Sequence, residues 1–383
     1  MQQYKNIFIY GFAIFSMFFG SGNLVFPLQI GFESGTHWVL GVIGLLITGI
    51  ALPFLGLFVI KLHRGSYTSF FAEAGWFAKM VLPLFTLSLM ASFGVAPRCI
   101  TVAYGGITQM LPQIPLALFS VVFCAICFVF CLKDSFMIRA LGKWMTPVLL
   151  AALAVLILVG VISAPALEVD GDYKATSVFS NGFLRGYQTM DLFAAFFFSS
   201  LIFKQIQDAM GEKASHKEVI RVALKPSLLG AFLLAAIYCG FVFLGAHYKQ
   251  FLVGIVPELI LPTIAEHALG EKSALIISII IIFSCLTTGI ALHNIYARYL
   301  CSLFKLPESK FPFMLLLTII ITFLVSLLKF EGIAAFLVPA LELSYPSIIA
   351  LTVMSILSRG HRRLKITVFY GALVAMVIYR YVL

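Results

Sequence analysis

Gly20, Ser21, Gly22 and Asn23, followed by Pro27, sit in the middle of an otherwise apolar run over 8–30. Two glycines, an amide side chain and a proline this close together unwind a helix, because glycine adds backbone freedom and proline lacks an N–H. If the run crosses a bilayer, no water reaches the freed backbone, so it must be buried in protein or line a cavity. Free amides at the start of a half-helix suit a carboxylate. Free carbonyls suit an ammonium group or a hard cation. One broken helix can therefore meet both ends of a zwitterion. Small residues also let membrane helices approach closely, but close packing calls for neither Asn nor a nearby Pro. These four positions are read as a binding site.

A second interruption, Ser180-Asn181-Gly182-Phe183-Leu184-Arg185-Gly186-Tyr187-Gln188-Thr189-Met190-Asp191, precedes the apolar stretch 193–203. Gly186, Tyr187 and Thr189 would face the first break as further substrate contacts. Asp191 is the carboxylate beside a predicted break, and two roles fit it. It can cap or gate a half-helix, or couple directly to an ion or proton, as an intramembrane acid commonly does. Arg98, in Val95-Ala96-Pro97-Arg98, would cost about 3 kcal/mol facing lipid and must turn to the interior or a water-filled cavity. It fits a structural ion pair or a solute carboxylate equally, with Asp191 and Glu342 as natural protein partners.

These residues need long helices to hold them. The chain has 383 residues, 61% hydrophobic and 11% charged, with a mean hydropathy of +1.05. Soluble domains carry roughly 25% charged residues, so this is a polytopic membrane protein. Eleven candidate spans follow, over 6–30, 37–61, 77–110, 115–133, 144–164, 183–204, 219–246, 273–304, 311–328, 332–358 and 363–382. A short surface helix is expected over 258–270. Nineteen Lys and Arg fall in one alternating set of loops and six in the other, which places the N-terminus in the cytoplasm. That asymmetry accounts for the +10 net charge and leaves no case for nucleic acid. The first span resembles a signal peptide but lacks a small-residue cleavage site, so it is read as uncleaved. Eleven spans leave the last residue outside within an apolar run, which points to a further helix beyond it. Cys99, Cys124, Cys127, Cys131, Cys239, Cys285 and Cys301 lie almost entirely in apolar runs and are read as buried thiols. No His or acid joins the Cys124, Cys127, Cys131 face, so no metal is assigned beyond a coupling Na+.

Spans one to five and six to ten are two sets of five, each opening on a broken helix. Five is odd, so the second set must lie inverted relative to the first. Paired interruptions of this kind point to an inverted-repeat transporter.

The same residues carry a resemblance. Phe15-Ser16-Met17-Phe18-Phe19-Gly20-Ser21-Gly22-Asn23-Leu24-Val25-Phe26-Pro27 is similar to the first-helix signature of the bacterial branched-chain amino acid:cation symporter family. The second interruption resembles the sixth-helix signature. Ala96-Pro97-Arg98, Thr101-Val102, Cys285-Leu286-Thr287-Thr288 and Tyr345-Pro346 match shorter blocks, and the likeness runs to about residue 358. Gln188 stands where the family has an apolar residue, and 293–298 is more polar than in the family. The resemblance implies an all-α LeuT-type core of five plus five helices. The transport core would cover 1–358, with repeat one at about 1–164 and repeat two at about 180–358, and 359–383 would be an accessory helix. It also implies Thr287 and Thr288 as Na+ ligands, with Ser284 a lesser candidate. Without it, back-bonding of Thr to its own helix explains them equally well.

Phe18, Phe19, Phe26 and Tyr187 could wall an apolar pocket. Such a pocket separates one methylene by only about 1–3 kcal/mol, so Leu, Ile and Val overlap as substrates, with Met beside them. The reading is a cell-membrane symporter importing apolar amino acids with Na+, or H+ as second choice, and needing no other cofactor. An intramembrane enzyme is the rival class. It would need a nucleophile with a positioned base, yet of the seven His only His293 lies well inside a span. A passive channel is the other alternative. No P-loop occurs, which excludes that route to ATP.

Overall fold

The structure, a computed structural model, describes residues 2–108, 111–132, 145–167, 174–211, 215–270, 274–358 and 360–381. Of the loop cations counted above, Lys133, Arg139, Lys143, Lys213, Lys272 and Arg359 lie outside the described residues. Among the described residues every regular element is helical, and each expected span is a helix or a helix pair.

Span one is α1 (Gln2–Phe18) and α2 (Ser21–Ser34). Span two is α3 (Trp38–Leu46), a π turn at Ile47–Ala51, and α4 (Leu52–Leu62). A short α5 (Tyr67–Phe71) leads to α6 (Trp76–Met90) and α7 (Val95–Thr108), which together make span three. Then come α8 (Leu116–Cys131) and α9 (Thr146–Ile162). Span six is α10 (Ala175–Gln188) and α11 (Asp191–Met210), followed by α12 (His216–His247). The expected surface helix is α13 (Ile260–Leu269), and α14 (Ala274–Leu303), α15 (Phe311–Ser326), α16 (Lys329–Leu357) and α17 (Arg362–Tyr381) complete the chain.

Both expected breaks are present, and both are tighter than the sequence implies. The first frees only Phe19 and Gly20; Ser21, Gly22, Asn23 and Pro27 already belong to α2. Asn23 explains this, since its Oδ1 accepts the Gly20 N–H at 3.2 Å and ties off the helix start. Pro27 costs α2 one bond, leaving the Asn23 carbonyl without its helical donor. At the second break Thr189 and Met190 separate two helices bent by 41°, and Met190 takes a left-handed φ of 62°. Span six therefore starts at Ala175, earlier than expected, because the polar stretch from Ser180 to Gln188 is itself helical. Span three, expected as one long rod, is interrupted at 91–94 ahead of Pro97.

Packing links the two sets of five crosswise. Both halves of span one lie along α12, and both halves of span six lie along α3 and α4. Exchanging first and second sets turns one arrangement into the other. Glycines allow the contact: a Cβ on Gly31 would lie 2.1 Å from the Val242 carbonyl oxygen, and one on Gly182 would lie 2.2 Å from that of Gly41. A second group forms from α7, α8, α14 and α15, with α14 against the other three. The first broken helix borders this second group, with α1 against α14 and α2 against α7. Outside both, α17 packs on α16, and the Lys365 ammonium donates to Glu73 Oε1 at 2.6 Å.

Candidate functional site

The two breaks meet. A Cβ on Gly22 would lie 3.1 Å from Thr189 Cα, so the first turn of α2 abuts the second unwound segment. Across this junction Asn23 Nδ2 donates to Asp191 Oδ2 at 2.9 Å and also to the Tyr238 hydroxyl. Tyr238 in turn donates to the same Asp191 oxygen at 2.7 Å. All three side chains are buried. Asp191 opens α11, where the helix dipole favours a negative charge. One carboxylate thus joins a half-helix from each repeat to α12. Thr189 Oγ1 donates to the Gly186 carbonyl at 2.8 Å and accepts the Asp191 N–H at 3.4 Å, which fixes the turn.

On the other side of the first break, α14 presents three hydroxyls to the end of α1. Ser284 Oγ donates to the Phe19 carbonyl at 2.6 Å, and Thr287 Oγ1 donates to the Ser16 carbonyl at 3.0 Å. Thr288 Oγ1 reaches the same Ser16 oxygen at 3.3 Å. Thr287 Oγ1 also back-bonds to the Ser284 carbonyl at 2.8 Å, the bond its helix alone would make. Gly20 is where the groups touch: a Cβ there would lie 2.9 Å from Thr288 Cγ2. Two main-chain carbonyls and three hydroxyls form an all-oxygen set suited to a hard cation.

Arg98 enters from α7 with 1% of its surface exposed. The structural ion pair with Asp191 or Glu342, one of two readings from the sequence, does not form. Asp191 is engaged by Asn23 and Tyr238, and Glu342 pairs with Arg380 near the far end of α17. Arg98 instead donates from Nη2 to the Gln188 carbonyl at 3.1 Å, with its guanidinium 5.5 Å from the centre of the Phe26 ring. That carbonyl is free because α10 ends there.

Other candidates separate by environment. Tyr187 packs against Tyr345 with ring centres 4.9 Å apart, and Phe26 lies under Arg98, so both border the junction. Phe18 turns away to Phe198 and Phe19 to Phe15 and Phe241. Gly186 lies within α10 and packs on span two; a Cβ there would lie 1.9 Å from Thr48 Oγ1. Ser21 Oγ is buried against the Cys99 thiol of α7. Two contributors escape sequence reasoning. Tyr238 lies in an unmarked apolar span, while Tyr345 had only its short Tyr-Pro block as a signal.

The family model for branched-chain amino acid transport protein matches residues 3–380. The chain belongs to that family. Its members are transporters rather than enzymes, which removes the intramembrane enzyme. The branched-chain amino acid permease BrnQ of Corynebacterium glutamicum is 27% identical over 376 residues, spanning 97% of this chain and 86% of the permease. Among solved structures, MhsT in complex with L-phenylalanine superposes with a TM-score of 0.57 at 16% identity, covering 96% of this chain and 97% of MhsT. Mhp1, a nucleobase-cation-symport-1 family transporter, in a closed conformation with bromovinylhydantoin bound, gives 0.59 at 14% identity, covering 97% and 90%. These likenesses establish the fold as the LeuT-type inverted repeat with discontinuous first and sixth spans.

Proposed function

We propose that this protein is a secondary active transporter importing Leu, Ile, Val or similar apolar amino acids into a bacterial cell, with a cytoplasmic N-terminus. The substrate binds where the two breaks meet, among Gly20, Ser21, Gly22, Asn23, Tyr187 and Thr189, with Gly186 setting the approach of α10. The driving ion is Na+, held by Ser284, Thr287, Thr288 and the Ser16 and Phe19 carbonyls, with H+ at Asp191 as the alternative. A cation entering the oxygen set takes the lone pairs that now accept hydroxyl protons, and the hydroxyls rotate to offer their own. This draws α1 and α14 together at the interface between the two packed groups. Those groups then rock about the site to expose it to either side in turn.

The observation that carries this reading is the position of the hydroxyl set. It bridges the broken helix to the other packed group, so occupancy by an ion biases their relative placement. Reconstitution into proteoliposomes tests it. Leucine uptake should saturate, accumulate against a gradient under inward Na+, and be inhibited by Ile and Val. Uptake indifferent to both Na+ and pH gradients would leave a passive pathway and remove the proposal.

A further inference from the structure

Away from the junction, a second polar network joins the two broken helices. Arg185 donates from Nη2 to Glu33 Oε1, and from Nη1 to Gln29 Oε1 at 3.0 Å. Asn181 Nδ2 donates to the other Glu33 oxygen at 2.7 Å, and Arg185 Nε reaches Asn181 Oδ1 at 3.4 Å. Gln29 and Glu33 belong to α2, Asn181 and Arg185 to α10. The spacing is that of two facing stripes. Gly22, Gln29 and Glu33 lie seven and four residues apart on one helix face, and Asn181, Arg185 and Thr189 lie four apart on the other. Because α2 leaves the first break as α10 approaches the second, the stripes meet antiparallel. Gly22 abuts Thr189 at the inner end, and Glu33 meets Asn181 at the outer end. From Gly22 to Glu33 is about 16 Å at the rise of an α-helix. The glycine contacts at Gly31 and Gly182 hold α2 to α12 and α10 to α3, so they do not tie α2 to α10. The network does. With 23% of Arg185 and 31% of Glu33 exposed, most of the water that weakens a surface ion pair is gone.

We propose that Glu33 and Arg185 are positioning residues: their ion pair clamps α2 and α10 into one lid and, by fixing the angle between them, sets the affinity of the junction for an apolar amino acid. The inference rests on the reading that such a substrate binds at the two breaks. A hydrogen-bonded helix is stiff over three turns. Splaying α2 from α10 at the clamp therefore turns their inner ends against each other at Gly22 and Thr189, beside the substrate. Arg185 suits the task because its planar fork holds Gln29 and Glu33, one turn apart on α2, at the same time. A lysine offers a point charge and would leave the angle free. The clamp touches no substrate in this arrangement. It acts only through the spacing of the half-helices.

Initial rates of leucine uptake by the purified full chain in proteoliposomes, measured under an inward Na+ gradient, decide the matter. Glu33→Arg or Arg185→Glu sets like charges face to face and should raise the KM for leucine about tenfold, with the maximal rate changed less than about twofold. The double exchange, Glu33→Arg with Arg185→Glu, should bring KM back to within about threefold of the wild type. A covalent clamp should serve as well as an ionic one. Glu33→Cys with Arg185→Cys should show the raised KM, lose it when a short bifunctional methanethiosulfonate bridges the two thiols, and regain it on reduction. The wild type, treated alike, controls for the native thiols. If the reversed variants fail to fold, the cysteine pair carries the test. Charge variants that melt earlier but keep the wild-type KM would make the pair a structural contact and overturn the inference alone. So would a bridge that abolishes uptake, because the half-helices would then have to part during transport. A folded wild-type protein that takes up no leucine overturns the transport reading and this inference together.

Discussion

Asn23 does more than an interrupted helix requires of an amide. Its oxygen holds the Gly20 N–H, and its nitrogen serves Asp191 and Tyr238. Leucine has the same branching and number of heavy atoms, and none of these groups. Asn23→Leu should therefore abolish leucine uptake while the protein still reaches the membrane, losing about 2–3 kcal/mol of stability from unmet buried partners. Wild-type uptake by that variant in proteoliposomes would reduce the first break to a packing feature. Asp191→Asn keeps the shape and removes the charge. If H+ at Asp191 drives uptake, gradient-driven accumulation should collapse while leucine exchange between equal pools persists. If accumulation is unaltered, Asp191 serves only as the latch between half-helices and α12.

At the scale of elements, the half-helices are held by backbone contact more than by side-chain bulk. Gly182 on α10 faces the Gly41 carbonyl on α3 so closely that a methyl group cannot enter without separating the two helices. Gly182→Ala should cost about 1–3 kcal/mol, as overpacking does, and reduce uptake by tilting α10 away from the junction. An unchanged melting temperature and uptake would mean that α10 is free to move outward. The last helix is attached differently. Lys365 is buried and donates to Glu73, while the Ser355 hydroxyl meets the other Glu73 oxygen. Lys365→Ala should lower stability by about 1–2 kcal/mol, allowing for the partial exposure of Glu73. The KM for leucine should stay at the wild-type value, since α17 borders neither break. A shifted KM would instead tie the accessory helix to the transport cycle.

For the whole molecule, the consequence is an interface rather than a pocket. The group of spans one, two, six and seven meets the group of α7, α8, α14 and α15 through polar links that include Ser284 to Phe19, Thr287 and Thr288 to Ser16, and Arg98 to Gln188. Any rocking of one group on the other must break and remake these bonds, and an ion at the hydroxyls changes their strength. Thr287→Ala combined with Thr288→Ala should raise the Na+ concentration for half-maximal uptake at least tenfold, with leucine affinity at saturating Na+ changed less than threefold. An Na+ activation curve that does not move would clear both residues as ligands.

The sequence alone determined the membrane class, the places of the helices and the two opening breaks, because long apolar runs and clustered glycine with proline act locally on any chain in lipid. It also marked Gly20 to Asn23, Asp191, Arg98 and the Thr287-Thr288 pair, since polar groups inside apolar runs stand out by contrast. What it could not determine was pairing. Asp191 bonds Asn23 and Tyr238 across 168 and 47 residues, and Arg98 ends beside a carbonyl rather than an acid. Such partners are chosen by how helices cross, and a tyrosine in an unbroken apolar span carries no local sign that its hydroxyl will face a carboxylate. The length of each break likewise depends on tertiary contact. Asn23 reaching back to Gly20 returns Ser21, Gly22 and Pro27 to a helix that their propensities alone would have melted.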